Sequence, residues 1–194
     1  MSRLSFEFHP LTLERWGAFE SLFGRRGGCG GCWCMWWRQS SREFEQCKGE
    51  TNRRKMKELV DGGAVPGVLA FDGPRAVGWC SVAPRDEFPR LDRSRTMKRI
   101  DDEPVWSIVC LYVDKAYRKQ GLSVELVRAA AEYAAERGAR IVEAYPRVPA
   151  AEESPDVFIY TGLPKFFERV GFETVARPSA KRWIMRKHIA DKQR

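Results

Sequence analysis

Several features that would assign this chain to a common class of protein are missing from its 194 residues. No apolar run approaches the roughly 20 residues that a membrane-spanning helix needs, and the first residues lack the apolar core of a signal peptide. No internal repeat, low-complexity tract or linker divides the chain. We therefore expect one domain over residues 1–194, with a core from about residue 4 to about residue 187, and a cytoplasmic protein without a membrane partner.

Histidine is scarce as well, since only His9 and His188 occur, close to the two ends of the chain. A cysteine nucleophile normally depends on a neighbouring histidine, so covalent catalysis through a thiol is not favoured. The six cysteines are expected to stay reduced in the cytoplasm.

The chain has an excess of positive charge: it contains 34 lysines and arginines and 26 acidic residues, which gives a net charge of +8. Such an excess is typical of proteins that bind nucleic acid, an anionic membrane or a polyanionic small ligand. No recognised nucleic-acid motif is present, which argues against nucleic acid as a partner. A small ligand that carries phosphates is the preferred explanation.

A short basic loop, RKQGLS at Arg118–Ser123, follows a predicted buried strand and precedes a predicted helix. The first turn of a helix has unpaired backbone N–H groups and a partial positive charge, which together bind anions. Gly121 lets the backbone approach a ligand closely, and two basic side chains add full charges. The pattern predicts a phosphate-binding turn. It is neither a Walker A motif nor a G-x-G-x-x-G dinucleotide motif.

This loop resembles the pyrophosphate loop of the GNAT superfamily of N-acetyltransferases, written Q/R-x-x-G-x-G/A, with Ser123 in place of the usual last residue. The preceding LYVDKAYR and the later FFERVGFETVAR also resemble that family. The resemblance implies an α+β (mixed α/β) acyl-CoA N-acyltransferase fold. In that fold, a single mixed sheet is splayed between its two central parallel strands and carries helices on both faces.

The order of predicted elements agrees with that fold. Each segment follows from its apolar period and from its cap and turn residues. The predicted segments are a strand at Leu4–Phe8, a helix at Thr12–Phe23, a helix from Ser40 to Val60 broken at Gly49, strands at Pro66–Phe71 and Arg75–Val82, a loop at Pro84–Glu103, a strand at Pro104–Asp114, a helix at Ser123–Arg137, a strand at Arg140–Tyr145, a loop at Pro146–Gly162, a short helix at Leu163–Val170 and a closing hairpin of Phe172–Arg177 with Arg182–Arg186.

The resemblance also implies acetyl-CoA as cosubstrate and direct transfer of its acetyl group to an amine. Three strand residues would meet the pantetheine arm through their backbone, and the N–H of the first or the third would polarise the acetyl carbonyl. Six loop residues would wrap the diphosphate. The implied cofactor-binding residues are Leu111, Tyr112, Val113, Arg118, Lys119, Gln120, Gly121, Leu122 and Ser123.

The general acid and the general base are open. Many family members place a tyrosine as acid five residues before the phenylalanine of the Gly-Phe pair, and here that position is Phe167. Tyr160 or Tyr145 is expected to replace it, with Tyr112 or water as alternatives. The expected base is Glu143, with Asp86, Glu87 and the strand residues Ser107 and Cys110 also considered.

The segment Cys29–Arg38, CGGCWCMWWR, lies between the first two helices, which in the family cover the acceptor pocket. An aromatic wall fits an apolar or cationic acceptor. The predicted substrate-binding residues are Trp33, Trp36, Trp37, Trp79 and Trp106. Four thiols, Cys29, Cys32, Cys34 and Cys47, could bind zinc, but their spacing is irregular and no histidine is near, so no metal is predicted.

Two other classes of function stay open. The missing tyrosine is compatible with a non-catalytic acetyl-CoA-binding regulatory module, and the net charge with a protein- or RNA-associated acetyltransferase. The acceptor is expected to be a small-molecule or peptide amine, and a homodimer is not excluded.

Overall fold

The computed structural model describes residues 5–149 and 160–190. One sheet of seven strands contains the strands in the order β1-β2-β3-β4-β5-β7-β6. The strands are β1 (Glu7–Pro10), β2 (Gly67–Asp72), β3 (Arg75–Pro84), β4 (Trp106–Val113), β5 (Ile141–Ala144), β6 (Glu173–Ser179) and β7 (Arg182–His188).

The described residues form six α-helices and three short 3-10 turns. The helices are α1 (Trp16–Phe23), α2 (Ser41–Cys47), α3 (Glu50–Asp61), α4 (Pro89–Asp92), α5 (Leu122–Glu136) and α6 (Pro164–Glu168), and the 3-10 turns are Leu13–Arg15, Arg85–Glu87 and Lys115–Tyr117. Within this part of the chain, no helix has the length and the apolar character to cross a membrane.

Most predicted elements are found, with shifted ends. The Ser40 hydroxyl accepts the N–H of Glu43 at 3.2 Å, so the predicted cap starts α2, and Lys48–Gly49 separates α2 from α3. The predicted loop at Pro84–Glu103 is partly helical, because Pro89 starts the short α4. A proline suits the first position of a helix, where its missing N–H costs nothing. Leu4 and residues 150–159 lie outside the described residues.

The first predicted helix begins differently from the prediction. Thr12 precedes a 3-10 turn, and its hydroxyl accepts Nη1 of Arg15 at 3.1 Å rather than a backbone N–H. The regular helix α1 starts only at Trp16.

The sheet separates two layers of helices, which confirms the predicted fold class. On one face α5 packs Leu126, Val127, Ala130 and Ala134 against β2, β3 and β4. On the other face α1 and α3 pack their aromatic and aliphatic side chains around the fully buried Trp79. The apolar spacing of α5 gives one buried stripe, which is what a helix on a sheet requires.

The central strands β4 and β5 are parallel and pair over only three residues each, Trp106–Ile108 with Val142–Ala144. Strand β4 continues to Val113, where it still pairs with Gly78 of β3, whereas β5 has ended. A gap therefore opens between β4 and the chain that follows β5. A register shift on the β3 side makes Val109 an extra residue in β4, which is a β-bulge at the point where the gap begins.

Candidate active site

A cavity of about 1360 Å³ occupies this gap. Its walls come from the end of β4, the start of α5, α6 and the segment between α1 and α2. Eight of the nine predicted cofactor residues line it, and only Gln120 does not. Gln120 instead donates Nε2 to the carbonyl of Ala116 at 2.9 Å, so it holds the loop from outside.

The predicted diphosphate loop has the backbone of an anion site. Gly121 is the N-cap of α5 with φ +86°, a left-handed conformation that disfavours side chains, and a Cβ placed on it would meet no atom within 4 Å. The space in front of the first turn of α5 is therefore open. Arg118 donates Nε to the carbonyl of Val113 at 3.1 Å, which ties the loop to the end of β4.

One predicted backbone donor is already in use. The N–H of Leu111 donates to the carbonyl oxygen of Tyr160 at 2.6 Å, across the gap. Along an antiparallel strand, successive N–H groups point to opposite sides. Val113 stands two residues beyond Leu111, so its N–H points to the same side, away from β3. Both N–H groups thus face the gap, and the first of them is bound by a carbonyl of the protein itself.

Tyr160 lines the cavity, which places one predicted acid beside the cofactor residues. Burial raises the pKa of its hydroxyl to about 12, with Cys110 acting in the same direction and Arg182 and Arg90 opposing. Phe167, at the position of the usual tyrosine, is fully buried and packs edge-on against Phe172 at 5.3 Å. Its side chain belongs to the core under α5 rather than to the cavity.

The structure does not bring Glu143 and Tyr145 to the cavity. Both are buried, and neither contributes to its lining. Glu143 accepts Nε of Arg186 at 2.7 Å and the Tyr145 hydroxyl at 2.5 Å, and it lies 3.4 Å from Nη1 of Arg85. A carboxylate held by two guanidinium groups cannot reach an acceptor amine. These two residues are therefore corrected from catalytic candidates to members of a buried network.

The other acid–base candidates are placed elsewhere as well. Ser107 is buried and hydrogen-bonds Tyr145 at 2.9 Å. Asp86 and Glu87 are ion-paired at the surface with Arg99 and Arg38, respectively. None of these three lines the cavity.

Two of the five predicted substrate-binding tryptophans, Trp36 and Trp37, line the cavity. Trp37 donates its indole N–H to the carbonyl of the bulged Val109 at 3.0 Å, which fixes its ring at the start of the gap. The guanidinium of Arg90 stacks 3.5 Å above the Trp36 ring.

The remaining three tryptophans are outside this cavity, and that part of the prediction is corrected. Trp33 stacks on Phe23 at 5.9 Å, and the fully buried Trp79 meets Phe19 edge-on at 5.1 Å. Trp106 packs on Tyr133 of α5. Large aromatic side chains at alternate positions near a sheet serve its core at least as often as its pocket.

Four thiols reach the cavity wall: Cys29, Cys32, Cys34 and Cys110. The sulfurs of the buried Cys34 and of Cys110 lie 3.6 Å apart, and hydrogen bonding from Cys34 lowers the pKa of Cys32 to about 6. Burial keeps the pKa of Cys34 itself well above the ordinary value. Cys47 lies apart on α2, and across the described residues no group of three cysteine, histidine or acidic side chains is arranged to hold a metal ion.

Basic side chains line the cavity far more densely than the motif predicts, and none of the described lining residues is acidic. Arg147 and Arg182, at the side opposite β4, were not among the predicted site residues. They belong to no motif, and their only signal in the sequence is the net positive charge.

Comparison with known proteins agrees with this geometry. The family model described as the acetyltransferase (GNAT) family matches residues 32–154, which is more than half of the chain. The chain belongs to the GNAT family of acetyltransferases. This GNAT protein is an acetyl-CoA-dependent N-acetyltransferase: acetyl-CoA is its cosubstrate, and an amine whose identity is not established is its acceptor. No curated protein matches the chain significantly.

Solved structures show the same fold at low sequence identity. A GNAT acetyltransferase from Listeria monocytogenes has 11% identity and a TM-score of 0.56, with 96% of each chain covered. One from Streptococcus agalactiae has 10% identity and a TM-score of 0.55, covering 98% of this chain and 99% of its own. The PaiA N-acetyltransferase of Thermoplasma acidophilum, solved with coenzyme A, has 15% identity and a TM-score of 0.52, covering 95% and 99%.

Proposed function

We propose that this GNAT protein transfers the acetyl group directly from acetyl-CoA to an amine inside the cavity between β4 and β5. The observation that carries the proposal is that one continuous cavity joins the loop Arg118–Ser123, the end of β4, Tyr160 and two tryptophans. Cofactor residues and acceptor residues thus share one space, as direct transfer requires.

The loop holds the diphosphate in this proposal. The Val124 N–H donates to the Gly121 carbonyl at 2.9 Å, so the N–H groups of Leu122 and Ser123 at the start of α5 would meet the diphosphate, and the space in front of Gly121 is open to a ligand. Arg118 and Lys119 supply charges that complement the phosphates. The thioester arm then lies along β4, where the N–H groups of Leu111 and Val113 point into the gap.

The backbone N–H of Leu111 polarises the thioester carbonyl in this scheme, because a donor aimed at the developing oxyanion stabilises the transition state. The Tyr160 carbonyl, which now accepts that N–H, marks where the carbonyl oxygen of the substrate would lie. The segment at Tyr160 must withdraw by the length of one hydrogen bond when the cosubstrate binds.

The Tyr160 hydroxyl is the proposed general acid. Its raised pKa, about 12, keeps the hydroxyl protonated at neutral pH, so that a proton is available for the thiolate that leaves when the C–S bond breaks. The proton that the amine nitrogen loses after the C–N bond forms then passes to the Tyr160 oxygen and restores the hydroxyl. No carboxylate is proposed as the base. The cationic cavity disfavours a charged ammonium group and so lowers the pKa of the bound acceptor, which yields the neutral amine that attacks.

We propose a single acetyltransferase domain over residues 1–194, a cytoplasmic location and a small-molecule or peptide amine as acceptor. A homodimer is compatible with it, and neither nucleic acid nor a membrane is needed as a partner.

The test is cosubstrate binding in a matched pair of glycine variants. Gly121 and Gly138 stand near the two ends of α5 with φ +86° and +87°, and both have open space where a Cβ would lie. Acetyl-CoA at 100 times its dissociation constant should stabilise the native protein by about 2.7 kcal/mol. Gly121→Glu should abolish this increase in melting temperature, whereas Gly138→Glu, with the same strain and charge, should retain it. Equal stabilisation of both variants would sink the proposed loop.

A further inference from the structure

The cavity is lined by far more positive charge than one acetyl-CoA loop explains. Among the described lining residues no side chain is acidic, and nine are basic: Arg25, Arg26, Lys48, Arg118, Lys119, Arg147, Lys165, Arg169 and Arg182. Only three of the nine, Arg118, Arg147 and Arg182, are half-buried, and the others are exposed. Arg118 belongs to the proposed diphosphate loop, so the two half-buried cations outside that loop are Arg147 and Arg182.

These two arginines lie on the sheet face opposite the diphosphate loop. Side chains along a strand alternate between faces. Met185 of β7 packs with α5, whereas Ile184 packs with Trp37 and Tyr160 on the other face. Arg182 stands two residues before Ile184 and therefore shares its face. Arg147 is the antiparallel bridge partner of Arg182, and directly opposed residues project to the same side.

Among the described residues, the guanidinium of Arg182 is held by neutral oxygens. Its Nη1 donates to the carbonyl of Tyr145 at 2.6 Å and to the hydroxyl of Thr161 at 2.7 Å. No described carboxylate forms an ion pair with it. Burial lowers the pKa of Arg182, with Arg147 acting in the same direction and Tyr160 opposing. A half-buried cation in this setting attracts an external anion.

The surroundings of the two cations are aromatic. The Trp37 and Tyr160 rings stand 6.4 Å apart, and the side chain of Tyr160 neighbours Arg182 closely enough to influence its titration. Trp36 completes this wall, with the guanidinium of Arg90 stacked on its ring. An aromatic wall alone would also suit a cationic amine. The charge of the lining residues decides against a polycationic acceptor such as a polyamine or an aminoglycoside.

We propose that the acceptor is an amine that also carries a carboxylate, in the manner of an amino acid with an apolar or aromatic side chain. This inference rests on the proposed function, because it names the acceptor of the same cavity. Arg182 binds the carboxylate through its guanidinium N–H groups. Trp36 and Trp37 contact the apolar part, and the amine points across the gap toward β4.

Matched amines test the class of acceptor. Release of the coenzyme A thiol is measured with phenylalanine against phenethylamine and with leucine against isopentylamine, which differ by the carboxylate alone. Phosphoethanolamine against ethanolamine tests whether a phosphate serves instead. We expect kcat/KM to be at least about 10-fold higher for the carboxylate member of at least one pair, in line with a charge-assisted hydrogen bond.

Variants of Arg182 test the site. Arg182→Gln should lower kcat/KM for the preferred amino acid by a factor about 10- to 100-fold larger than the factor by which it lowers kcat/KM for the decarboxylated amine. Arg182→Lys should recover part of the loss, because it restores the charge but not the paired geometry. Arg140→Gln, which removes an exposed cation outside the cavity, is the control and should change neither rate.

The outcomes separate this inference from the proposed function. Turnover that favours the decarboxylated amines or phosphoethanolamine, or that is unaffected by Arg182→Gln, overturns the carboxylate site while acetyl transfer stands. If no amine is acetylated, the carboxylate site is tested by the binding of acetylated amines instead. N-acetylphenylalanine that raises the melting temperature in the presence of coenzyme A, when N-acetylphenethylamine does not, supports the carboxylate site and contradicts the proposed chemistry. Absence of that difference contradicts the carboxylate site.

Discussion

Two groups of arginines on one face of the sheet contrast sharply. Arg186 and Arg182 lie four residues apart on β7 and therefore project to the same side. Arg186 is bound by Glu143 at 2.7 Å and by both oxygens of Asp101 at 2.6 and 2.9 Å. Arg182 binds a carbonyl and a hydroxyl and stands beside Arg147. Arg186 is thus neutralised by carboxylates, whereas Arg182 has no carboxylate partner in the part of the chain that the structure describes.

The same contrast holds for the residues that surround Arg186 and for those that surround Arg182. Arg85, buried on the side of Arg186, contacts Glu143, Asp92 and the hydroxyl of Tyr145. Burial tends to lower the pKa of both buried guanidinium groups, but the carboxylates around them raise it overall. The carboxylates around Arg85 and Arg186 match their charge within the fold, whereas Arg182 has only neutral partners among the described residues, as the proposed carboxylate site requires. Substitutions in the network of Glu143, Arg85 and Arg186 should therefore affect stability, and substitutions around Arg182 should affect activity.

The largest expected effect is on stability, from Glu143→Ala. This change leaves Arg85 and Arg186 buried without their shared carboxylate, and loss of one partner from a buried ion pair costs about 3–5 kcal/mol. Arg182→Gln should cost less, about 1–2 kcal/mol, because it removes hydrogen bonds to neutral oxygens. Urea unfolding of both variants measures the difference. Equal losses would mean that Arg182 is as much a part of the fold as Arg186.

A tyrosine from each region gives the next comparison. Tyr160→Phe should lower kcat by about 100-fold, as expected for loss of a positioned acid, with little change in acetyl-CoA affinity. Tyr145→Phe, the matched control, should leave kcat nearly unchanged but lower stability, because its hydroxyl bonds Glu143 inside the network. If Tyr160→Phe turns over normally, Tyr160 is a packing residue, and the proton comes from Tyr112 or from water.

The smallest expected effect is a pH dependence of the stability that Asp101 contributes through its ion pair with Arg186. Hydrogen bonding from Arg186 lowers the pKa of Asp101 below its ordinary value of 3.8. The folded-state pKa is the lower one, so the stability that this carboxylate contributes is present above pH 3.8 and is lost as pH falls through the folded pKa. Because Asp101 is half-exposed, we expect at most about 1 kcal/mol. Acid unfolding of the wild type and of Asp101→Asn measures this contribution. Identical loss of stability at low pH in the two proteins would show that the pair contributes nothing.

The fold followed from the sequence because its signals are local. The cap at Ser40, the basic loop at Gly121 and the apolar stripe of the following helix each depend on residues a few positions apart. The parallel pairing of β4 with β5 follows from a helix crossing between them. The start of α1 was harder, because Thr12 offers its hydroxyl to a side chain instead of to the helix backbone.

The site was predictable only where it is contiguous. The loop and strand residues of the cofactor site come from one stretch, and all but Gln120 line the cavity. Glu143 and Tyr145 were misassigned because the arginines that bury them, Arg85 and Arg186, lie about 60 and 40 residues away in the chain. Arg147 and Arg182 escaped notice for the same reason, since pairing between distant segments leaves no periodic signal.

In the proposed scheme, the bond between the Leu111 N–H and the Tyr160 carbonyl makes that carbonyl a competitor of the cosubstrate. A backbone hydrogen bond contributes about 1 kcal/mol net, and breaking it before binding weakens apparent affinity by roughly fivefold. The same competition makes the site selective. We expect an acyl-CoA to keep the segment open through its thioester carbonyl, which free coenzyme A lacks, so that the segment closes again after transfer. Product release is thereby favoured over product retention.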